Sequence, residues 1–320
     1  MTDPPRKVGV VATGGAYLGY AIVKVFEWLN RKNVFISYLG GTSIGAITGS
    51  ALAGTKTLLE QKVGIDMVFR KWRKVREVGP QAIFPWGGVP KTLARSLWRL
   101  FLHKERIRSI LDDSALRWLI DEFDPIKAVD PDGARFEFGL RDGLLKRSII
   151  ISNHDPAFSV RGGNPERLKE LLGAAPRIPG LFDPESIDGR NYSDSIFTEF
   201  EPAVRYGCDV VFAVICHGDE AYSFLEDGDF FQNHPFISRF SPLLLLADYY
   251  MTHQVEWDRV ALESAKRYAA LHHPSTRIIP VYLRPGSESH TPFTFCPDDF
   301  ELAGRETERQ METICKDIFL

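Results

Sequence analysis

The chain has 320 residues, 44% of them hydrophobic and 25% charged, the proportions of a folded protein rather than a disordered one. Its 39 Lys and Arg against 42 Asp and Glu leave a net charge of -3, which excludes a globally basic nucleic-acid binder. Four cysteines, none in a C-x-x-C pair, exclude a zinc ribbon or a disulfide framework and fit a reducing compartment.

From the N-terminus, Val8 to Ala12 is a short apolar run that stops at Gly14 and Gly15. It reads as a buried strand and is too short for a signal-peptide core. A helix follows, with Ile22, Val25, Phe26 and Leu29 at helical spacing, ended by Asn30 and Asn33. Phe35 to Leu39 reads as a second strand, and Ile44 opens a helix dense in small residues. Residues 56–125 read as mostly helical, broken by a Pro/Gly-rich stretch from Gly79 to Pro90. Strands are expected at Arg135–Leu140 and Ser148–Ser152 around the turn signal Asp142-Gly143. A helix opened by Pro165 runs to about 175. A buried strand at 209–215, an irregular stretch at 216–241, a long helix at 242–271 and a strand at 277–283 complete the order. Alternating strands and helices predict an α/β fold with a mainly parallel sheet covered on both faces. One domain over 1–320 is expected, with a core at about 8–215, a mostly helical basic insertion at about 56–125 and a C-terminal extension at 216–320. The apolar run Leu243 to Ala247 is far too short to span a bilayer, so a cytoplasmic protein is expected.

The sharpest chemical signal is Gly41-Thr42-Ser43-Ile44-Gly45, a G-x-S-x-G between a strand and a helix. So tight a turn strains the serine and crowds its neighbours, so Gly41 and Gly45 suit the two flanks and Ser43 Oγ is pushed outward as a nucleophile. The bland alternative is a packing helix in which Gly45, Ala46, Gly49 and Ala53 permit close approach. A second loop, Gly14-Gly15-Ala16-Tyr17-Leu18-Gly19, is G-G-x-x-x-G rather than the dinucleotide pattern G-x-G-x-x-G, and no acid follows at the right place. Its N–H groups suit an oxyanion better. A serine nucleophile needs a base. None of the eight histidines stands in a triad context, and Asp188 and Asp194 lie in a turn-rich segment after Pro176 to Gly180.

Together these residues resemble the patatin-like phospholipases and acyl hydrolases. That family has a glycine-rich loop, a G-x-S-x-G and an Asp in D-G-G or D-G-A, and uses a Ser–Asp dyad without histidine. Gly14–Gly19 is similar to the loop and Gly41–Gly45 to the elbow. Ala174 to Phe182 and Ile187 to Asp194 resemble the segment and hairpin that lead to the family's Asp. The resemblance implies a three-layer α/β/α fold with Ser43 as nucleophile and Asp194 as its partner. Asp188, which alone is followed by glycine, is the alternative. It further implies an oxyanion hole at Gly14, Gly15 and Ala16, a lipid ester substrate of phospholipase A or lysophospholipase type, and no metal or organic cofactor. Four positions depart from the pattern: Ala16 for a glycine, Leu18 for a basic residue, and Ser195-Ile196 for two small residues after the Asp. These departures leave a second reading open, a catalytically degenerate member that binds lipid or a protein partner.

Charge is unevenly spread. From Arg70 to Arg108 there are eleven basic and two acidic residues, a net of +9 that leaves -12 for the rest of the chain. Trp72, Phe84, Trp86, Trp98 and Phe101 are interleaved with them. Arg95, Trp98 and Arg99 are therefore candidate contacts to an anionic membrane surface, weighed equally against an ordinary solvated helix. No nucleic-acid partner is expected, and nothing in the sequence sets the oligomeric state.

Overall fold

A computed structural model of the chain describes residues 6–83, 111, 113–195, 197–216, 241–283, 296–316 and 318. Strand β1 (Val8–Ala12) is buried throughout, as expected of a strand with neighbours on both edges and helices on both faces. It pairs in parallel with β2 (Ile36–Gly41) on one edge and β7 (Val210–Ile215) on the other. β2 pairs in parallel with β3 (Arg135–Asp142), and β7 with β8 (Arg277–Tyr282). Pro280 lies inside β8, which suits an outer strand because proline cannot donate to a further ladder. Three antiparallel strands complete the far side: β4 (Arg147–Ser152), β5 (Glu185–Ile187) and β6 (Arg190–Asp194). The order is β5-β6-β3-β2-β1-β7-β8, with β4 also on β3.

The alternation of side chains along each strand divides the interior in two. Val8, Val10 and Ala12 of β1, with Val210, Phe212 and Val214 of β7, face one core. That face is covered by α1 (Gly19–Arg31), α2 (Ile44–Ser50), α3 (Leu58–Val78) and α9 (Pro297–Ile314). Short helices α4 (Ser114–Leu119), α5 (Pro125–Ala128) and α6 (Pro165–Ala174) extend it. Val11, Val211, Ala213 and Ile215 face the other core, against α7 (Glu201–Arg205) and the long helix α8 (Ser241–His272). The result is the expected three-layer α/β/α sandwich around a mainly parallel sheet.

The strand expected to stop at Leu39 continues through Gly40 and Gly41, whose ladder partners in β1 and β3 hold them extended. Helix α9 falls in the C-terminal stretch where no helix is expected. Its Phe300 packs against Tyr17 and Tyr20 with ring centroids 5.4 Å away in each case. Trp72 joins the same cluster and is 1% exposed, a core residue rather than a membrane-facing aromatic. Its ring covers Gly19, where an added Cβ would come within 2.0 Å of Trp72 Cζ2. The last glycine of G-G-x-x-x-G is thus a packing requirement. Lys71 is also buried, its ammonium bonded to the carbonyls of Trp118 and Leu119 and to Asp121. The expected membrane contacts Arg95, Trp98 and Arg99 lie outside the described residues.

Candidate active site

Ser43 stands between β2 and α2 with φ 54° and ψ -126°, a left-handed conformation that costs a non-glycine residue about 1–3 kcal/mol. The strain is held by its surroundings. Thr42 N–H donates to Ala12 O at 3.1 Å, and Gly45 N–H donates to Thr42 O at 2.9 Å. Helix α2 thereby lies directly on the end of β1. An added Cβ at Gly45 would sit 2.2 Å from Ala12 O and 2.9 Å from Thr13 O, so only glycine fits.

Strand β3 serves as a common ruler for the serine and the aspartate. Gly41 of β2 sits opposite Phe138, and Asp194 of β6 sits opposite Leu140. β4 occupies one edge of β3 along this whole stretch, so β2 and β6 share the other edge. They run towards each other and end with Gly139 alone between their registers. Ser43 follows two residues after Gly41, which brings its hydroxyl beside the Asp194 carboxylate. Asp194 is 3% exposed, and its own N–H is fixed to Arg177 O at 3.0 Å. Burial pushes this carboxyl well above the usual carboxylate range, and the neighbouring Ser43 hydroxyl and Ser195 backbone pull it partly back.

Asp188 is placed elsewhere. It forms the turn between β5 and β6 with Gly189, both at positive φ as a two-residue hairpin of this type requires. Its side chain is exposed and ion-paired with Arg167. The two carboxylates the sequence left open therefore differ in position, burial and partner, and only Asp194 meets Ser43.

The glycine loop lies across from the serine. Gly15, Ala16, Ser43 and Ile44 line a narrow cavity of about 20 Å³, walled by Ile83, Leu116, Pro176 and Ile178 and closed by Gln254 from α8. No described carbonyl accepts from the N–H groups of Gly14, Gly15 or Ala16. Ala16 takes φ 46°, the conformation that suits the glycine usual at this place, at a cost of about 1–2 kcal/mol for alanine. Leu18 is fully buried, so this position offers no cation to the site. Ser195 is buried beside Asp194. Its hydroxyl lies 2.9 Å from Ser148 Oγ and donates to Phe197 O at 3.1 Å.

Sequence reasoning missed the support behind these groups. Thr198 Oγ1 donates to Thr42 Oγ1 at 2.8 Å, and Cys216 N–H donates to Thr13 Oγ1 at 2.9 Å. Between these threonines lies Asp258 of α8, with 0% exposure. Neither of its oxygens has a hydrogen bond within normal length to a described residue. Burial raises its carboxyl well above the usual range, and the nearby hydroxyls of Thr198 and Thr13 offset this only in part. One signal was available. Gln254 and Asp258 are one turn apart on the face of α8 that carries Val255, Ala261, Leu262 and Ala265 into the core. Asp258→Asn is expected to melt no lower than the wild type at pH 8, because the amide removes a buried charge while keeping the shape. Thermal unfolding by circular dichroism checks this.

A sandwiched parallel sheet that ends in a strained serine turn, with a buried carboxylate and a glycine loop beside it, defines an α/β protein with a site of the acyl-hydrolase kind. The family model for patatin-like phospholipases matches residues 10–203, and the chain belongs to that family. Lipid acyl hydrolysis is the general function of this family. Among solved structures, the chain is similar to VipD from Legionella pneumophila, with 14% identity and a TM-score of 0.44 over 97% of this chain and 67% of that one. No curated protein matches it. Among the described residues no helix is long and apolar enough to cross a membrane.

Proposed function

We propose that the chain hydrolyses a lipid carboxylic ester, as a phospholipase A or lysophospholipase, with Ser43 as nucleophile and Asp194 as base. The observation that carries this reading is the placement of the strained Ser43 hydroxyl beside the buried Asp194 carboxylate. Asp194 accepts the hydroxyl proton as Oγ bonds to the ester carbonyl carbon. The carbonyl oxygen becomes an oxyanion, and N–H groups of Gly14, Gly15 and Ala16 are the donors best placed to receive it. Asp194 then gives its proton to the departing alcohol, leaving an acyl group on Ser43. Water deprotonated by Asp194 releases the fatty acid and restores the serine. Ile83, Leu116 and Ile178 form the apolar wall against which an acyl chain lies.

A fluorophosphonate probe tests nucleophile activation directly. Wild type is expected to label stoichiometrically at Ser43, and Ser43→Ala is expected to remain blank. Equal background labelling of both proteins would sink the enzyme reading and leave the lipid-binding one. The base works only when ionised, and burial raises its pKa, so the labelling rate is expected to climb with pH along a limb displaced above ~4, the ordinary carboxylate value. A rate constant across that range would contradict the assignment.

A further inference from the structure

The β3–β4 hairpin carries an exposed feature that the ester-hydrolysis chemistry does not use. Its turn, residues 143–146, presents Leu144 and Leu145 side by side, 65% and 45% exposed. Arg141, Lys146 and Arg147 surround them, all exposed, and no described carboxylate pairs with any of the three. The leucines are held outward rather than left to collapse. Buried Asp142 accepts from the N–H groups of Leu144 at 2.8 Å and Leu145 at 3.0 Å, so the turn is fixed from inside by its own backbone. Arg190 lies 3.7 Å from the same carboxylate and neutralises it, which leaves the three outer cations uncompensated.

The hairpin is also fixed relative to Ser43. Leu140 pairs with Asp194, Arg141 with Ser193 and Asp142 with Tyr192. Gly143 N–H donates to Asn191 O at 2.8 Å, and Ser148 Oγ lies 2.9 Å from Ser195 Oγ. β2 and β3 are parallel, so the turn after β3 and the serine after β2 project from the same end of the sheet. At about 3.3 Å per residue the leucines stand roughly 10 Å beyond the level of Asp194.

We infer that this turn is a membrane-docking element, two leucines that enter the interfacial region of an anionic bilayer while Arg141, Lys146 and Arg147 meet its headgroups. Apolar tip and cationic collar together fit a lipid surface better than a protein, whose interface core disfavours unpaired charge. Docking there sets the end of the sheet that carries Ser43 against the source of its substrate. The function of the element, though not its binding, rests on the ester-hydrolase reading.

The test is co-sedimentation of the full chain with phosphatidylcholine vesicles, with and without phosphatidylserine. Wild type is expected to bind the serine-containing vesicles preferentially. The Leu144→Asp/Leu145→Asp variant should lower partitioning about tenfold or more, and the Arg141→Gln/Lys146→Gln/Arg147→Gln variant should abolish the preference for anionic lipid. All five changes are on exposed side chains, and hydrolysis of a soluble short-chain p-nitrophenyl ester should be unaffected in both variants. Vesicle binding by both variants equal to wild type would overturn the proposal and move membrane contact elsewhere, for example to Arg95, Trp98 and Arg99. Absence of vesicle binding by the wild type, with an oligomeric state that changes in the leucine variant, would make the turn a contact between copies and also overturn it. An inactive wild type that still binds through the turn would refute the hydrolase reading and leave this one standing.

Discussion

Asp194→Asn should reduce kcat on a lipid ester by about 10³-fold or more, the scale on which a general base contributes, while the protein stays folded. Asn fills the same volume beside Ser43, yet it cannot take the hydroxyl proton. Stability is expected to move the other way. The folded pKa of Asp194 is raised by burial, so ionisation opposes folding. The stability this group contributes is fully present below its unfolded value of about 3.9 and is lost as pH rises through the folded one. Asn escapes that loss. The variant should therefore melt above wild type at pH 8, and the gap should close towards pH 4. A variant both inactive and less stable at pH 8 would show instead that the carboxylate is structural. Asp188→Asn, at an exposed turn, should leave kcat unchanged.

The second large effect concerns Gly45. An alanine there places Cβ 2.2 Å from Ala12 O and 2.8 Å from Ala12 C, both backbone atoms that no rotamer change can move. β1 and α2 must separate, at a cost of about 3 kcal/mol or more, and the serine turn loses the geometry that strains it. Gly49→Ala, one turn along the same helix, meets nothing nearer than Phe136 Cε2 at 3.5 Å, an ordinary contact. There the gain in helix propensity of about 1 kcal/mol dominates. Gly45→Ala should thus lose fluorophosphonate labelling and melt early, while Gly49→Ala should label normally and melt at or above wild type. If the two variants behaved alike, α2 would be a generic small-residue packing helix, and Gly45 would owe nothing to the serine.

Much of this architecture was legible in the chain. The run Val8 to Ala12, the helix with Ile22, Val25, Phe26 and Leu29, and the strand around 210–215 announce themselves by period and burial, because a sheet covered on both faces demands continuous apolar strands. The five-residue pattern around Ser43 was equally readable, since its spacing is dictated by local backbone geometry. What local pattern does not encode is the partner across the sheet. The family resemblance favours Asp194 over Asp188, but only the register of β3 brings Asp194 level with the serine turn. Asp258 was hidden for the same reason: its threonine neighbours, Thr13 and Thr198, come from two separated segments of chain, and only its place on an apolar helix face hinted at burial. Helix α9 had its own signal, Pro297 followed by Asp298 and Asp299 in the first turn, which went unread.

The head-on arrangement of β2 and β6 along one edge of β3 has a consequence for biogenesis. Asp194 lies 151 residues beyond Ser43, and the strand that carries it can be positioned only once β3 is in place. Contacts so distant in sequence close late and slowly. A nascent or half-assembled chain therefore has Ser43 without the carboxylate that the proposed mechanism assigns to it. On the proposed reading, ester hydrolysis cannot begin until the strands have arrived in that order.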